Sequence, residues 1–108
     1  MVDSSVLAST HWDTYVKIIL EAHGEHPNSI EKCGDFYHRG FIIGFGWGNR
    51  EFTNKMDQDN MPFQLWGIEF RKLDHTLEDF FQIRKYEVHY ITAFIHGFKH
   101  GKEAQVHY

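Results

Sequence analysis

The chain has one cysteine, Cys33, and two prolines, Pro27 and Pro62. A lone cysteine excludes an internal disulfide framework and fits a reducing compartment. No run of lysine and arginine occurs, and the formal charge is -4. The clustered cations that grip a phosphate backbone are missing, so no nucleic-acid polymer is expected as a partner. The longest apolar stretch, around Phe41 to Gly48, is too short to cross a bilayer. The opening MVDSSVLAST lacks the basic and apolar regions of a secretory signal. These absences predict a soluble cytoplasmic protein with no membrane partner.

What is present points to a packed globule. Aromatic residues make up 17% of the 108 positions, far from the composition of a disordered chain. The whole of 1–108 is expected to form one helical domain, large enough to bury a core without staples. Nine histidines are the compositional oddity.

Apolar spacing predicts a first helix from about His11 to His23, carrying Trp12, Tyr15, Val16, Ile19 and Ala22 on one face. Thr10 and Asp13 resemble a capping box, and Gly24 stands where a glycine C-cap belongs. Asn28 or Ser29 would cap a second, longer helix reaching about Phe52. A polar loop, Thr53 to Met61, would then lead to Pro62 at a first helical position. Phe63, Trp66 and Phe70 suggest a short third helix. Asp74 or Thr76 would open the fourth, from Leu77 to about Lys102.

The glycines of Phe41–Gly48 would also suit a strand and turn, because each costs roughly 1 kcal/mol in a helix. An internal repeat decides for helix. Residues 30–48 and 83–101 share eight identities over 19 positions at an offset of 53. Ile30, Lys32, Tyr37, Phe41, Ile42, Gly44, Phe45 and Gly48 return as Ile83, Lys85, Tyr90, Phe94, Ile95, Gly97, Phe98 and Gly101. Gly40, Gly44 and Gly48 are spaced by four, matched by Ala93, Gly97 and Gly101. Small residues so spaced let two helix backbones come close. The expected fold is all-α, a four-helix arrangement from two repeated helical hairpins, with the long helices crossing at their glycine faces.

Candidate chemistry is sparse. His96 and His100 are four apart and His89 is seven before His96. Two helical histidines can chelate a metal, but a zinc site needs a third ligand at matching height, and His89 is two turns away. A histidine-based metal protein is therefore an alternative only, and no metal site is assigned. Glu31, Asp35 and His38 resemble half of a helical di-metal site. Their repeat equivalents are Arg84, Val88 and Ile91, so the second half is absent. Asp57-Gln58-Asp59-Asn60 starts like a calcium loop but has Pro62 at position six and Ile68 at position twelve. Gly44-Phe45-Gly46-Trp47-Gly48 lacks the spacing of a nucleotide-binding loop. Cys33 falls on the core face, where thiols are commonly inert. No catalytic residue or cofactor is assigned, and the chain reads as a non-enzymatic binding protein.

Tyr37-His38-Arg39-Gly40-Phe41-Ile42-Ile43-Gly44-Phe45 and Phe94-Ile95-His96-Gly97-Phe98 resemble the Tyr-x-x-Gly-Phe-x-x-Gly helices of small phage accessory proteins. The resemblance covers about a quarter of the chain. It implies a phage or mobile-element inhibitor that acts stoichiometrically on a host defence protein or sequesters a signalling nucleotide. The residues themselves offer two stripes for a partner. Phe36, Ile43 and Trp47 form an apolar one, and the same positions of the second copy are His89, His96 and His100. The apolar stripe is expected either under the first helix or at an interface, with a homodimer partner or a host protein. The histidine stripe is expected to face solvent or to add a pH-sensitive contact. For the nucleotide alternative, Arg39, Arg50 or Arg84 would neutralise phosphates beside aromatic rings.

Overall fold

The structure, a computed structural model, describes residues 3–49, 55–73 and 79–106. Asp3 opens the first helix, its carboxylate accepting from the Ser5 backbone N–H over 2.9 Å. Helix α1 (Ser4–His11) thus begins seven residues before the expected start, and the cap is Asp3 rather than Thr10. A π-helical turn, Trp12–Val16, follows, and then α2 (Lys17–Ala22). The backbone stays right-handed at both joints, so the three segments make one continuous arm.

Gly24 ends the arm as the sequence predicts. Its φ of +75° is strained for any residue with a Cβ. Here it lets the Gly24 and Glu25 N–H groups bond back to Glu21 and Leu20, a Schellman closure. Helix α3 (Pro27–Gly48) starts at once. Pro27 occupies its first turn, and the cap is the His26 ring, which accepts from Asn28 N–H over 3.1 Å. Asn28 and Ser29 are therefore inside the helix rather than capping it. The helix stops at Gly48 with Asn49 as C-cap, short of Phe52, which lies outside the described residues.

Helix α4 (Lys55–Lys72) takes in most of the expected polar loop, and Pro62 lies inside it. Proline there sacrifices one backbone hydrogen bond, but its ring is fully buried. Burial offsets the loss, and that is why the first-position expectation fails. Helix α5 (Phe80–Val106) is opened by Asp79, whose side chain accepts from Gln82 N–H over 2.8 Å. The expected openers Asp74 and Thr76 lie outside the described residues. Among the described residues there is no strand. The protein is all-α.

The glycine faces are the central seam. A Cβ built on Gly40 would collide with the Tyr90 carbonyl, one on Gly44 with that of Phe94, and one on Gly48 with that of Phe98. Reciprocally, Gly97 abuts the Phe41 carbonyl and Gly101 that of Phe45. Residue numbers on both helices rise together through these contacts, so α3 and α5 run parallel, with the chain passing through α4 between them. Adding 53 to Gly44 and subtracting 53 from Phe94 gives Gly97 and Phe41. One contact becomes the other, which is the signature of an isologous, two-fold seam. Backbones this close gain packing and Cα–H···O contacts, each worth ~0.5–1 kcal/mol.

The arms obey the same relation. Trp12 lies 5.5 Å (ring centroids) from Tyr37 and 5.7 Å from His89. Trp66 of α4 lies 5.7 Å from Tyr90 and 5.5 Å from Phe36. The second pair is the first with the halves exchanged. Ala8 and Pro62, each 54 residues apart like the tryptophans, are both fully buried. Each arm therefore lies across both long helices. Cys33, Phe36, Trp66, Ile83, Tyr86 and Tyr90 form the core under α4, and Ala8, Tyr37, Phe41 and Ala93 the core under α1.

Candidate functional site

The two stripes part company in the folded chain. Phe36 is buried, stacked on Tyr86 at 5.0 Å and met edge-on by Trp66. Ile43 and Trp47 are half-buried on the same helix. The ring laid on Phe36 from an arm is Trp66 of α4; the first helix sends Trp12 and Leu20 to the same cluster, while its Tyr15 and Ile19 are exposed. The wheel of α3 alone could not show this, because each arm bridges two long helices rather than one. Phe36 is spent on the core and offers no surface to a partner.

The histidine stripe goes to the N-terminal arm instead. His89 is half-buried against Trp12. His100 is half-buried, its ring 4.9 Å edge-on from that of His11, and His96 is 6.3 Å from the same ring. His11 also rests 5.4 Å from Phe41. Of the stripe expected to face solvent, only His96 is exposed. A further histidine joins this seam: His38 of α3, whose Nε2 lies 3.1 Å from the Ser5 hydroxyl.

Five of the nine histidines thus line the seam under one arm. Their partners in the other half are Leu65 for His11, Ile91 for His38, Phe36 for His89, Ile43 for His96 and Trp47 for His100. Every one is apolar. Helical spacing picks out His89, His96 and His100 but not His11, and it marks His38 only as a metal-ligand candidate. The offset between Trp12 and Trp66 would have exposed the His11–Leu65 exchange.

Two of these imidazoles, His11 and His89, are biased toward the neutral form. Burial, then the neighbouring His100 and His96, hold the pKa of His11 below its usual 6.5. Burial likewise depresses His89, with Glu25 pulling the other way. Among the described residues, no group of three or more is placed to hold a metal ion.

Beside the arm runs a groove of about 1000 Å³ lined by Trp12, Lys17, Glu21, Glu31, Asp35 and Arg39, among others. Arg39 is already committed, 3.0 Å from the buried Glu69 carboxylate and 4.7 Å above the Phe36 ring. Elsewhere on the surface, α5 presents Phe81, Val88 and Ile95 at seven-residue spacing, exposed by 77%, 58% and 48%. Phe80, beside them, is 68% exposed.

None of the protein-family models, curated proteins or solved structures compared with the chain matches it.

Proposed function

We propose that the chain is a non-catalytic binding protein that occupies a surface of another protein through the outer face of α5. The observation that carries this reading is the stripe of Phe81, Val88 and Ile95. Seven-residue spacing lays these side chains along one line of a helix, where an apolar helix of a partner fits. The fold itself has no need of them. Their counterparts on α3 are Asn28, Asp35 and Ile42, and the first two are polar and exposed. Large exposed apolar side chains without a structural role mark interfaces.

The likeness of the Tyr-x-x-Gly-Phe helices to phage accessory proteins directs the search to a bacterial host protein, inhibited stoichiometrically in the cytoplasm. The nucleotide alternative has weaker support. The groove beside Trp12 carries Glu21, Glu25, Glu31 and Asp35 against Lys17 and Arg39, an excess of negative charge that repels phosphates. The test is affinity capture from host extract with the wild type and a Phe81→Ser/Val88→Glu variant, followed by calorimetry on the purified candidate. A 1:1 complex lost in a variant of unchanged helicity supports the reading. Self-association through this face would replace the host protein by a second copy. A thermal shift with a nucleotide, and no protein complex, would overturn it.

A further inference from the structure

We infer that the N-terminal arm, residues 4–22, is an acid-released latch, held at neutral pH by a histidine seam and freed when that seam protonates. The inference stands on placement. His11 enters from α1 and meets His96 and His100 of α5 at 6.3 and 4.9 Å, with Phe41 of α3 and Tyr15 of the π turn beside it at 5.4 and 5.5 Å. Protonation of two of these three rings places like charges against one another in a partly dry contact. Among the described residues, the carboxylate paired with the trio is Glu103, 3.8 Å from His100 and mostly exposed, so it screens little. His89, under Trp12, feels both Glu25 and Lys85, which oppose each other. His38 faces the neutral hydroxyl of Ser5.

The second half of the molecule supplies the control. Leu65, Ile91, Phe36, Ile43 and Trp47 stand at the corresponding positions of the α4 seam; Phe36 belongs to its core, and Leu65 and Ile91, partly buried, pack against it. The fold is therefore satisfied by five apolar residues there, and a histidine set under the other arm is a difference that packing does not require. It makes one of two matching arms titratable between pH 5 and 8, the range in which imidazole changes charge. Release would uncover Trp12, Tyr37 and Phe41 while the glycine seam and α4 stay in place.

Hydrogen exchange of the intact chain, expressed as protection factors at about pH 7.5 and about pH 5.5, reads the two arms separately. Peptides from residues 4–22 are expected to lose about tenfold or more of their protection on acidification, and those from 60–72 less than about threefold. Equal loss in both arms, or none in the first, overturns the latch. A graft of the apolar set, His11→Leu/His96→Ile/His100→Trp, is expected to abolish the response, and a folded graft that still releases its arm also overturns the inference. Should the graft lose its helicity, Leu65→His decides in the opposite sense: the α4 peptides gain an acid response, or the inference fails.

Discussion

The Ser29 hydroxyl oxygen lies 2.9 Å from the side-chain amide oxygen of Gln82, and the two residues hold the same place in the two halves. They meet where the two-fold relation brings a position against its own counterpart. Ser29 is also 2.9 Å from a Glu25 carboxylate oxygen. Its single proton serves the carboxylate, and a turned Gln82 amide then donates to the hydroxyl. Lys85 closes the group, 2.6 Å from the same Glu25 oxygen.

Glycines of one helix should respond to alanine with opposite signs. At Gly44 a methyl group meets the Phe94 carbonyl, and backbone cannot step aside cheaply. Gly44→Ala is expected to cost about 1–3 kcal/mol, as overpacking does, and Gly44→Leu or Gly97→Leu no less. Gly46 is exposed with nothing within 4 Å of such a group. Gly46→Ala should stabilise by about 0.5–1 kcal/mol through helix propensity. Urea titrations of these variants check both signs.

Global stability should fall in two separate pH windows. His11 and His89 have depressed values in the folded chain, so the unfolded chain binds protons first. Their contribution is complete above the ordinary 6.5 and is lost as pH falls below it. Glu25 is held below its ordinary 4.5, first by the Lys85 hydrogen bond and then by that of Ser29. Its contribution is present above 4.5 and disappears as pH falls further. Melting temperature against pH should show both limbs; Glu25→Gln should remove Glu25's share of the lower one and, by taking away the charge that raises His89, deepen the upper one.

Removing Arg39 should cost more than its exposure suggests. Glu69 is a carboxylate only 7% exposed, with Arg39 at 3.0 Å and Lys72 at 4.0 Å. Arg39→Met strands most of that charge, with an expected loss of about 1–3 kcal/mol. Arg39→Met combined with Glu69→Gln should recover part of it. A double-mutant cycle by denaturation measures the coupling.

Phe36 and Phe81 separate core from surface. Phe36→Ala should open a cavity beneath Trp66 and cost about 3–5 kcal/mol. Phe81→Ser should leave stability within about 0.5 kcal/mol and weaken partner binding. Thermal melts together with the binding assay distinguish them.

Cys33 should stay unreactive while the chain is folded. It is buried at 1% exposure, and loss of hydration pushes its thiol up to about 11. Reaction with a disulfide reagent at pH 8 should appear only with unfolding, and fast labelling of the native chain would contradict this placement.

The seam was legible because glycine spacing and the repeat speak about backbone proximity directly: Gly40, Gly44 and Gly48 matched to Ala93, Gly97 and Gly101 already imply the crossing. The arms were less so. Asp3 lies outside any apolar periodicity, and Pro62 signals a helix start unless its ring is known to be buried. The destination of the two stripes was hidden because a helical wheel describes one helix at a time, whereas Trp12 and Trp66 each lie across two. The histidines were visible individually, but their meeting around His11 depends on that crossing.

A seam made of backbone carbonyls and missing side chains carries almost no label of ownership. Gly44 meeting Phe94 and Gly97 meeting Phe41 present nearly the same surface twice, so either long helix would accept its counterpart from a second molecule as readily as its own. Opening the seam at high concentration is therefore expected to give swapped dimers rather than amorphous aggregate, which sizing of the chain refolded at high and low concentration would check. What tells the halves apart is written at the edges, in imidazole on one side and hydrocarbon on the other.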